Sequence, residues 1–178
     1  MSTINTTTKT KVIFINKKLL ALSVILVLVG ITFVYPILTP TQDFDGLFTM
    51  NVPMGKHYWD AAWCHSNKAL GCSKEYWDEN GDCLIDSDDF VVYYYNDSQV
   101  SEMGSNAWQH AVDTLTTTFL YEVYQTDGNL LILHNNVDMR NLPEYLVGVS
   151  NDDGSEAVFV GGYDLNMLKS YANSVEFK

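Results

Sequence analysis

The sequence has few basic side chains: 10 Lys and Arg stand against 22 Asp and Glu, which gives a formal net charge of −12. Binding to a nucleic-acid backbone needs clustered Lys and Arg, so this shortage argues against a nucleic-acid partner. The hydrophobic fraction of 47% is typical of a folded protein and too high for a disordered one. At 178 residues, the chain is predicted to form one domain with one appendage.

Sequence signatures of the common enzyme classes are also missing. The chain contains no H-E-x-x-H, G-x-S-x-G, Walker, G-x-G-x-x-G or C-x-x-C motif. Cys64 and His65 are neighbours in sequence, but the members of a catalytic dyad usually meet through the fold. His110 is interpreted as structural because it lies on a predicted amphipathic helix, and His134 because it ends a predicted strand. We therefore expect a protein that is not an enzyme.

Acidic residues are absent from residues 1–42. This segment carries four lysines, whereas residues 43–178 carry all 22 acids against six bases, so the two parts have formal charges of +4 and −16. After the lysines comes a run of twenty uncharged residues, Leu19–Leu38. Twenty helical residues extend for about 30 Å, which is the thickness of the hydrocarbon core of a bilayer. The run therefore predicts one transmembrane helix, residues 19–38, through which the chain contacts the lipid bilayer.

The lysines also predict the orientation of this span. All four precede it, and the first base after it is Lys56. The positive-inside rule then places residues 1–18 in the cytoplasm as a basic arm and the C-terminal part outside the cell membrane. A cleaved signal peptide is the alternative. An uncleaved anchor is favoured because the apolar run is longer than that of a signal peptide, because no small-x-small site follows it, and because Tyr35 suits the membrane interface.

The part outside the membrane is predicted to fold as one α+β domain. Residues 39–45 are interpreted as a tether and residues 46–178 as the extracytoplasmic domain. Alternating or β-branched segments predict strands at Leu47–Val52, Phe90–Tyr95, Leu130–Leu133, Glu144–Val149, Ala157–Val160 and Ser174–Phe177. Helical periodicity predicts one helix capped by Ser105 and continuing to Val123, and a second capped by Asp164.

Two segments lack such patterns. Lys56–Trp63 is predicted to form one helical turn, and residues 64–89, which hold all three cysteines and many acids, are interpreted as a long Cys-rich acidic loop. The order of the elements predicts an antiparallel sheet with two helices on one face, preceded by the transmembrane helix.

The segment from Asp78 to Asp89 resembles the twelve-residue calcium loop of EF-hand and dockerin proteins. Aligned with that loop, oxygen side chains fall at positions one, three, five, nine and twelve, and a backbone carbonyl at position seven. Cys83 replaces the usual Gly at position six, Asp89 replaces the usual Glu at position twelve, and a strand-like segment follows where a helix is usual. A solvated acidic loop is the alternative interpretation. The candidate Ca²⁺ ligands are Asp78, Asn80, Asp82, Leu84, Asp86 and Asp89.

Three cysteines, Cys64, Cys72 and Cys83, fall in the same predicted loop, outside the membrane, where oxidation is possible. The simplest interpretation is one disulfide and one remaining thiol, with all three pairings open. A zinc site that adds His57 or His65 is an alternative, although the C-x7-C-x10-C spacing lacks the paired knuckles of structural zinc sites. Three reduced core cysteines are the third possibility.

Two N-glycosylation sequons allow a test of topology. Asn96-Asp97-Ser98 follows a predicted strand in the exported part and makes Asn96 a candidate glycosylation site. Asn5-Thr6-Thr7 lies in the predicted cytoplasmic arm, where it is expected to stay unmodified.

The layout resembles small single-pass archaeal membrane proteins of unknown function. The resemblance is carried by the segment from Phe44 to Gly55, FDGLFTMNVPMG, and by the ending from Tyr145 to Phe177. It implies an extracytoplasmic α+β domain and no shared catalytic motif. The F-x-x-x-V-P start is also similar to that of PsbP-like α+β domains, a likeness of fold that implies no activity.

These observations lead to three functional hypotheses. The first is a membrane-anchored extracytoplasmic domain that binds a protein or another envelope partner, with the Cys64–Asp89 loop as its distinctive surface. The second is a structural component of the cell envelope without a specific ligand. The third is an enzyme that acts on an envelope polymer.

Overall fold

The computed structural model describes residues 40–54, 56, 58–60, 71–78, 89–100, 105–136 and 142–178. The chain divides into two units, Met1–Leu38 and Thr39–Lys178, and all described residues belong to the second. No helix among them is long and apolar enough to cross a membrane. The basic arm and the span predicted for residues 1–38 lie outside the described residues.

The described residues form two antiparallel sheets and three helices. A seven-stranded sheet has the order β3-β4-β5-β9-β8-β7-β6, and a three-stranded sheet has the order β1-β2-β10. The first five strands are β1 (Thr41–Phe44), β2 (Phe48–Asn51), β3 (Tyr58–Asp60), β4 (Lys74–Asp78) and β5 (Phe90–Asn96). The others are β6 (Tyr121–Asp127), β7 (Leu130–Asn135), β8 (Tyr145–Ser150), β9 (Glu156–Gly162) and β10 (Glu176–Phe177). The helices are α1 (Asp97–Val100), α2 (Ala107–Thr117) and α3 (Leu165–Ala172).

The two longer helices lie on opposite faces of the seven-stranded sheet. Ala107, Ala111 and Leu115 of α2 pack in one core with the odd-numbered residues of β5. Leu168 and Tyr171 of α3 pack in the other core with the even-numbered residues of β5. The predicted α+β fold with an antiparallel sheet is confirmed, but the placement of both helices on one face is wrong. Because β5 and β9 carry apolar side chains on both faces, each face of the sheet must pack against another layer of structure.

The three-stranded sheet extends the core on the α3 side. Phe44 and Phe48, paired in register across β1 and β2, stack with ring centroids 4.6 Å apart, and Phe48 stacks on Tyr94 of β5 at 5.7 Å. Asp45 and Gly46, both with positive φ, form the tight turn between the strands. The prediction of a tether over residues 39–45 is therefore wrong for Thr41–Phe44, which pair with β2.

Two further predictions near the start of the domain need correction. Tyr58–Asp60 form a strand where a helical turn was expected, and Lys74–Asp78 form a strand inside the predicted acidic loop. β3 pairs with β4, and β4 pairs with the hydrophobic strand β5. These short strands are stabilised by that neighbour, a contact between distant residues that local patterns do not reveal.

Helix α2 begins and ends differently from its prediction. Its N-cap is Asn106 rather than Ser105, and the Asn106 side chain accepts a hydrogen bond from the Gln109 N–H at 2.9 Å. The helix ends at Thr117, and Tyr121 already belongs to β6. The hydroxyls of Thr116 and Thr117 donate hydrogen bonds to carbonyls one turn back. Such bonds, and the restricted rotamers of β-branched residues, destabilise a helix slightly. The prediction for α3 is confirmed, since Asp164 caps it.

Substitution Gly148→Ala is expected to destabilise the fold. Gly148 lies opposite Phe159 in the β8–β9 pairing, and a Cβ at this position would meet the Phe159 ring at 2.3 Å. Such overpacking costs about 1–3 kcal/mol in the free energy of unfolding, measurable by urea titration of the full-length chain. A Gly148→Ala/Phe159→Leu double variant is expected to lose less than the sum of the single variants, because the smaller side chain makes room. Additive losses would contradict this account of the contact.

Candidate functional site

The predicted calcium ligands are only partly visible. Asp78 is the last residue of β4 and Asp89 directly precedes β5, whereas Asn80, Asp82, Leu84 and Asp86 lie outside the described residues. Asp89 is buried, and Lys56 Nζ donates a hydrogen bond to its Oδ1 at 2.9 Å. This carboxylate therefore already has a cationic partner. Among the described residues, no group of three His, Cys, Asp or Glu side chains could hold a metal ion. Calcium binding stays a prediction.

Of the three cysteines, only Cys72 is described. It is buried on the α2 side of the sheet and carries a free thiol. Burial raises the pKa of this thiol, and the nearby carboxylate of Glu75 raises it further. Cys64 and Cys83 lie outside the described residues, so the disulfide also stays a prediction.

The candidate glycosylation site Asn96 ends β5. Its side chain is partly buried, and the Ser98 hydroxyl donates to its Oδ1 at 2.6 Å. The sequon thus lies at a strand–helix junction, because α1 begins at Asp97. Glycosylation of Asn96 stays a prediction.

A buried carboxylate, Glu75, interrupts the apolar face covered by α2. Glu75 is 0% exposed and lies opposite Tyr93 in the β4–β5 pairing. The indole N–H of Trp77 donates to its Oε1 at 2.7 Å, while Oε2 has no hydrogen-bond partner among the described residues. A buried oxygen without a hydrogen-bond partner destabilises the folded state. A glutamate at this buried position is therefore energetically unfavourable.

The environment of Glu75 changes its protonation. Burial raises its pKa to about 7, the Trp77 hydrogen bond opposes this rise, and the negative charge of Asp60 adds to it. The ionised carboxylate in turn raises the pKa values of its neighbours Tyr93 and Tyr95, which burial already raises. Glu75 is thus a group that gains or loses a proton near neutral pH inside the core.

A second feature lies on the surface, at the edge of the sheet formed by β6. Tyr124, His134 and Tyr145 form a contiguous group of rings: the His134 ring lies 4.8 Å from that of Tyr145 and 6.0 Å from that of Tyr124. The Tyr124 and Tyr145 rings are 6.1 Å apart and inclined by 74°. Glu122 is paired in register with His134, and Glu144 precedes Tyr145. We call this group, Glu122, Tyr124, His134, Glu144 and Tyr145, the β6 patch.

The β6 patch combines the exposed ring of Tyr124 and the half-buried rings of His134 and Tyr145 with two carboxylates. Tyr124 is 57% exposed, and a register shift between Val123 and Gln125 makes it the extra residue of a β-bulge. His134 Nε2 lies 3.5 Å from Glu144 Oε1. The hydrogen bond between Tyr145 and Glu144 raises the pKa of the tyrosine. An exposed apolar surface flanked by carboxylates is typical of a binding surface for a cationic group.

Sequence reasoning missed both features. Glu75 falls in the predicted acidic loop, because residues 74–78, KEYWD, do not alternate between polar and apolar and their strand is defined by pairing with β5. The helical period predicts a helix through residues 121–123, which the structure places in β6, so local sequence does not bring the residues of the patch together. His134 was expected to be structural, and the structure places it at the surface between two tyrosines.

Comparison with known proteins gives no relative: no protein family, curated protein or solved structure matches the chain.

The buried carboxylate predicts a pH-dependent stability. The folded-state pKa of Glu75, about 7, lies above its ordinary value of 4.5, so between these values the folded chain holds a proton that the unfolded chain releases. The contribution of Glu75 to the free energy of unfolding should therefore fall by about 2–3 kcal/mol as the pH rises from about 4.5 to about 7. Urea unfolding of the full-length chain across this range measures it. Glu75→Gln should remove this decrease, and Glu176→Gln, at an exposed site, should retain it. An unchanged decrease in Glu75→Gln would contradict the assignment.

The thiol of Cys72 is expected to be unreactive in the folded chain, because it is buried and its pKa is raised. Alkylation with iodoacetamide, with and without urea, followed by peptide mass spectrometry, measures this. Labelling of Cys72 should require urea. Without reductant, one reactive thiol in urea would indicate a disulfide, and three would exclude it. Complete labelling of Cys72 without urea would contradict its burial.

Proposed function

We propose that the chain is a single-pass membrane protein whose acidic α+β domain, outside the cell membrane, binds another protein. Residues 19–38 would span the bilayer, and residues 1–18 would lie in the cytoplasm. The observation that carries the anchor is the run of twenty uncharged residues between a segment of charge +4 and a part of charge −16. The resemblance of residues 44–55 and 145–177 to small single-pass archaeal membrane proteins leads to the same expectation.

The start of the folded domain supports this division of the chain. β1 begins at Thr41, so two residues separate it from the proposed span. β1 also pairs with β2, which pairs with β10 at the end of the chain. A single domain therefore follows the proposed anchor directly, without a long linker.

The binding role is supported by the β6 patch. Single exposed apolar side chains are normal on a protein surface, but adjoining exposed apolar side chains mark interaction sites. Tyr124 contacts both His134 and Tyr145, and its chain neighbour Val123 is also exposed. The described residues thus add a surface that the sequence hypothesis, centred on the Cys64–Asp89 loop, did not contain.

Protease protection tests the proposed topology. The full-length chain carries one epitope tag before Met1 and a different one after Lys178, and intact cells are treated with protease. We expect the C-terminal tag to be lost and the N-terminal tag to persist in a small fragment that resists alkaline extraction from membranes. The same cells after lysis should lose both tags, which controls for protease activity.

Three results would contradict the proposal. Extraction of the untreated chain by alkali would exclude the anchor. Loss of the N-terminal tag from intact cells, with the C-terminal tag retained, would reverse the orientation. Absence of the N-terminal tag from the mature protein would establish cleavage in place of an uncleaved anchor.

A further inference from the structure

We propose that the β6 patch binds an arginine side chain in a basic segment of the protein partner. This inference rests on the proposed function and names the chemistry that the partner supplies.

The rings provide a stacking surface. Tyr124 is 57% exposed, and its ring is held at 74° to the Tyr145 ring, with His134 in contact with both. The three rings support one another, so binding orders few additional side chains. A planar guanidinium stacks on such a ring and is attracted by its electron-rich face, an interaction in which arginine is more frequent than lysine.

The carboxylates provide the complementary charge. Glu144 is 43% exposed and contacts the His134 ring, and Glu122, also exposed, accepts a hydrogen bond from the Asn136 amide at 2.8 Å. Glu144 therefore lies beside the His134 ring, and Glu122 lies opposite His134 in the pairing of β6 with β7. The lysine near this strand, Lys169, is already paired with Asp127. A guanidinium above Tyr124 would therefore meet the negative charge of Glu144 and Glu122.

The irregular edge favours recognition by side chains over strand addition. β6 is the last strand of its sheet, and an edge strand is a template for pairing with another chain. The bulge at Tyr124 breaks the regular ladder there, and bulges and charged residues are the devices by which edges avoid pairing. The exposed ring of Tyr124 is thus better explained by a side-chain partner than by a paired strand.

Peptide binding to the full-length chain tests this inference. The probes are short blocked peptides of alternating Ser and Arg, with Lys and Glu versions of the same length, and binding is measured by fluorescence anisotropy in detergent. We expect the arginine peptide to bind more tightly than the lysine peptide, and the glutamate peptide not to bind. Affinity for the arginine peptide should fall with added salt, because the carboxylates are exposed.

Matched variants locate the binding surface. Tyr124→Ala should lower the affinity for the arginine peptide about two- to fivefold, which is the contribution of an exposed cation–π contact. The same variant should bind the arginine and lysine peptides equally. Tyr124→Phe should keep the preference because it keeps the ring. Tyr163→Ala, at an exposed tyrosine outside the patch, should bind as the unmodified chain does. Glu144→Gln should reduce the salt dependence of the affinity for the arginine peptide, and Glu176→Gln should leave it unchanged.

Each alternative outcome overturns the inference. Equal binding of the arginine and lysine peptides would exclude stacking, and equal effects of Tyr124→Ala and Tyr163→Ala would place the binding elsewhere. No binding of any peptide would exclude the proposed partner chemistry. None of these results changes protease protection, so failure of this inference is distinguishable from failure of the proposed anchor.

Discussion

Burial of both faces of β5 is the constraint on which the rest of the structure depends. Every residue from Phe90 to Tyr95 is at most 1% exposed. Because side chains alternate along a strand, three of these residues enter each core. The strand needs a layer on each side, and α2 provides one. On the other side, α3 and the three-stranded sheet provide the second, and they bring the two ends of the domain together.

The two cores differ in chemical character. The core under α3 is filled with aromatic rings, including stacked pairs such as Phe90 and Tyr58, whose centroids are 4.1 Å apart. The core under α2 contains a carboxylate, Glu75, and a thiol, Cys72. Proteins violate the rules of core composition at few positions, and these positions are often functional or strained. Burial of Glu75 on this face therefore links the stability of the domain to pH.

The binding surface follows from how the sheet ends. The seven-stranded sheet ends at β6, and six consecutive residues of this strand are exposed. The bulge in β6 gives Tyr124 its exposed position, and the pairing of β7 with β8 places His134 beside Tyr145. The patch thus unites residues from three strands. Its acidity fits a domain whose charge is strongly negative as a whole.

Some parts of this fold could be predicted from local sequence. The segment Phe90–Tyr95 is β-branched and aromatic throughout, and the Asp164 cap precedes a clear helical period, so both elements were predicted correctly. The loop Asn151–Ser155 also joins two strands, β8 and β9, as its turn residues indicated.

Other parts depend on contacts between distant residues. The face on which each helix packs is set by how the chain connects the strands, which no local pattern encodes. β1, β3 and β4 have three to five residues each, too few for a periodic signal, and they are stabilised by their neighbours. The position of Tyr124 depends on a bulge, which is defined only by pairing with β7. The candidate binding surface was therefore invisible before the sheet was assembled.

The most direct test of the central claim, binding of a protein through the β6 patch, is site-specific photo-crosslinking in intact membranes. A benzophenone amino acid replaces Tyr124 in the full-length chain, and in a control it replaces Asp152, an exposed residue in the turn between β8 and β9. The account predicts a crosslink from position 124 to a different polypeptide, at a peptide that contains arginine, and no such product from position 152. Equal products from both positions, or a crosslinked peptide without arginine, would contradict it.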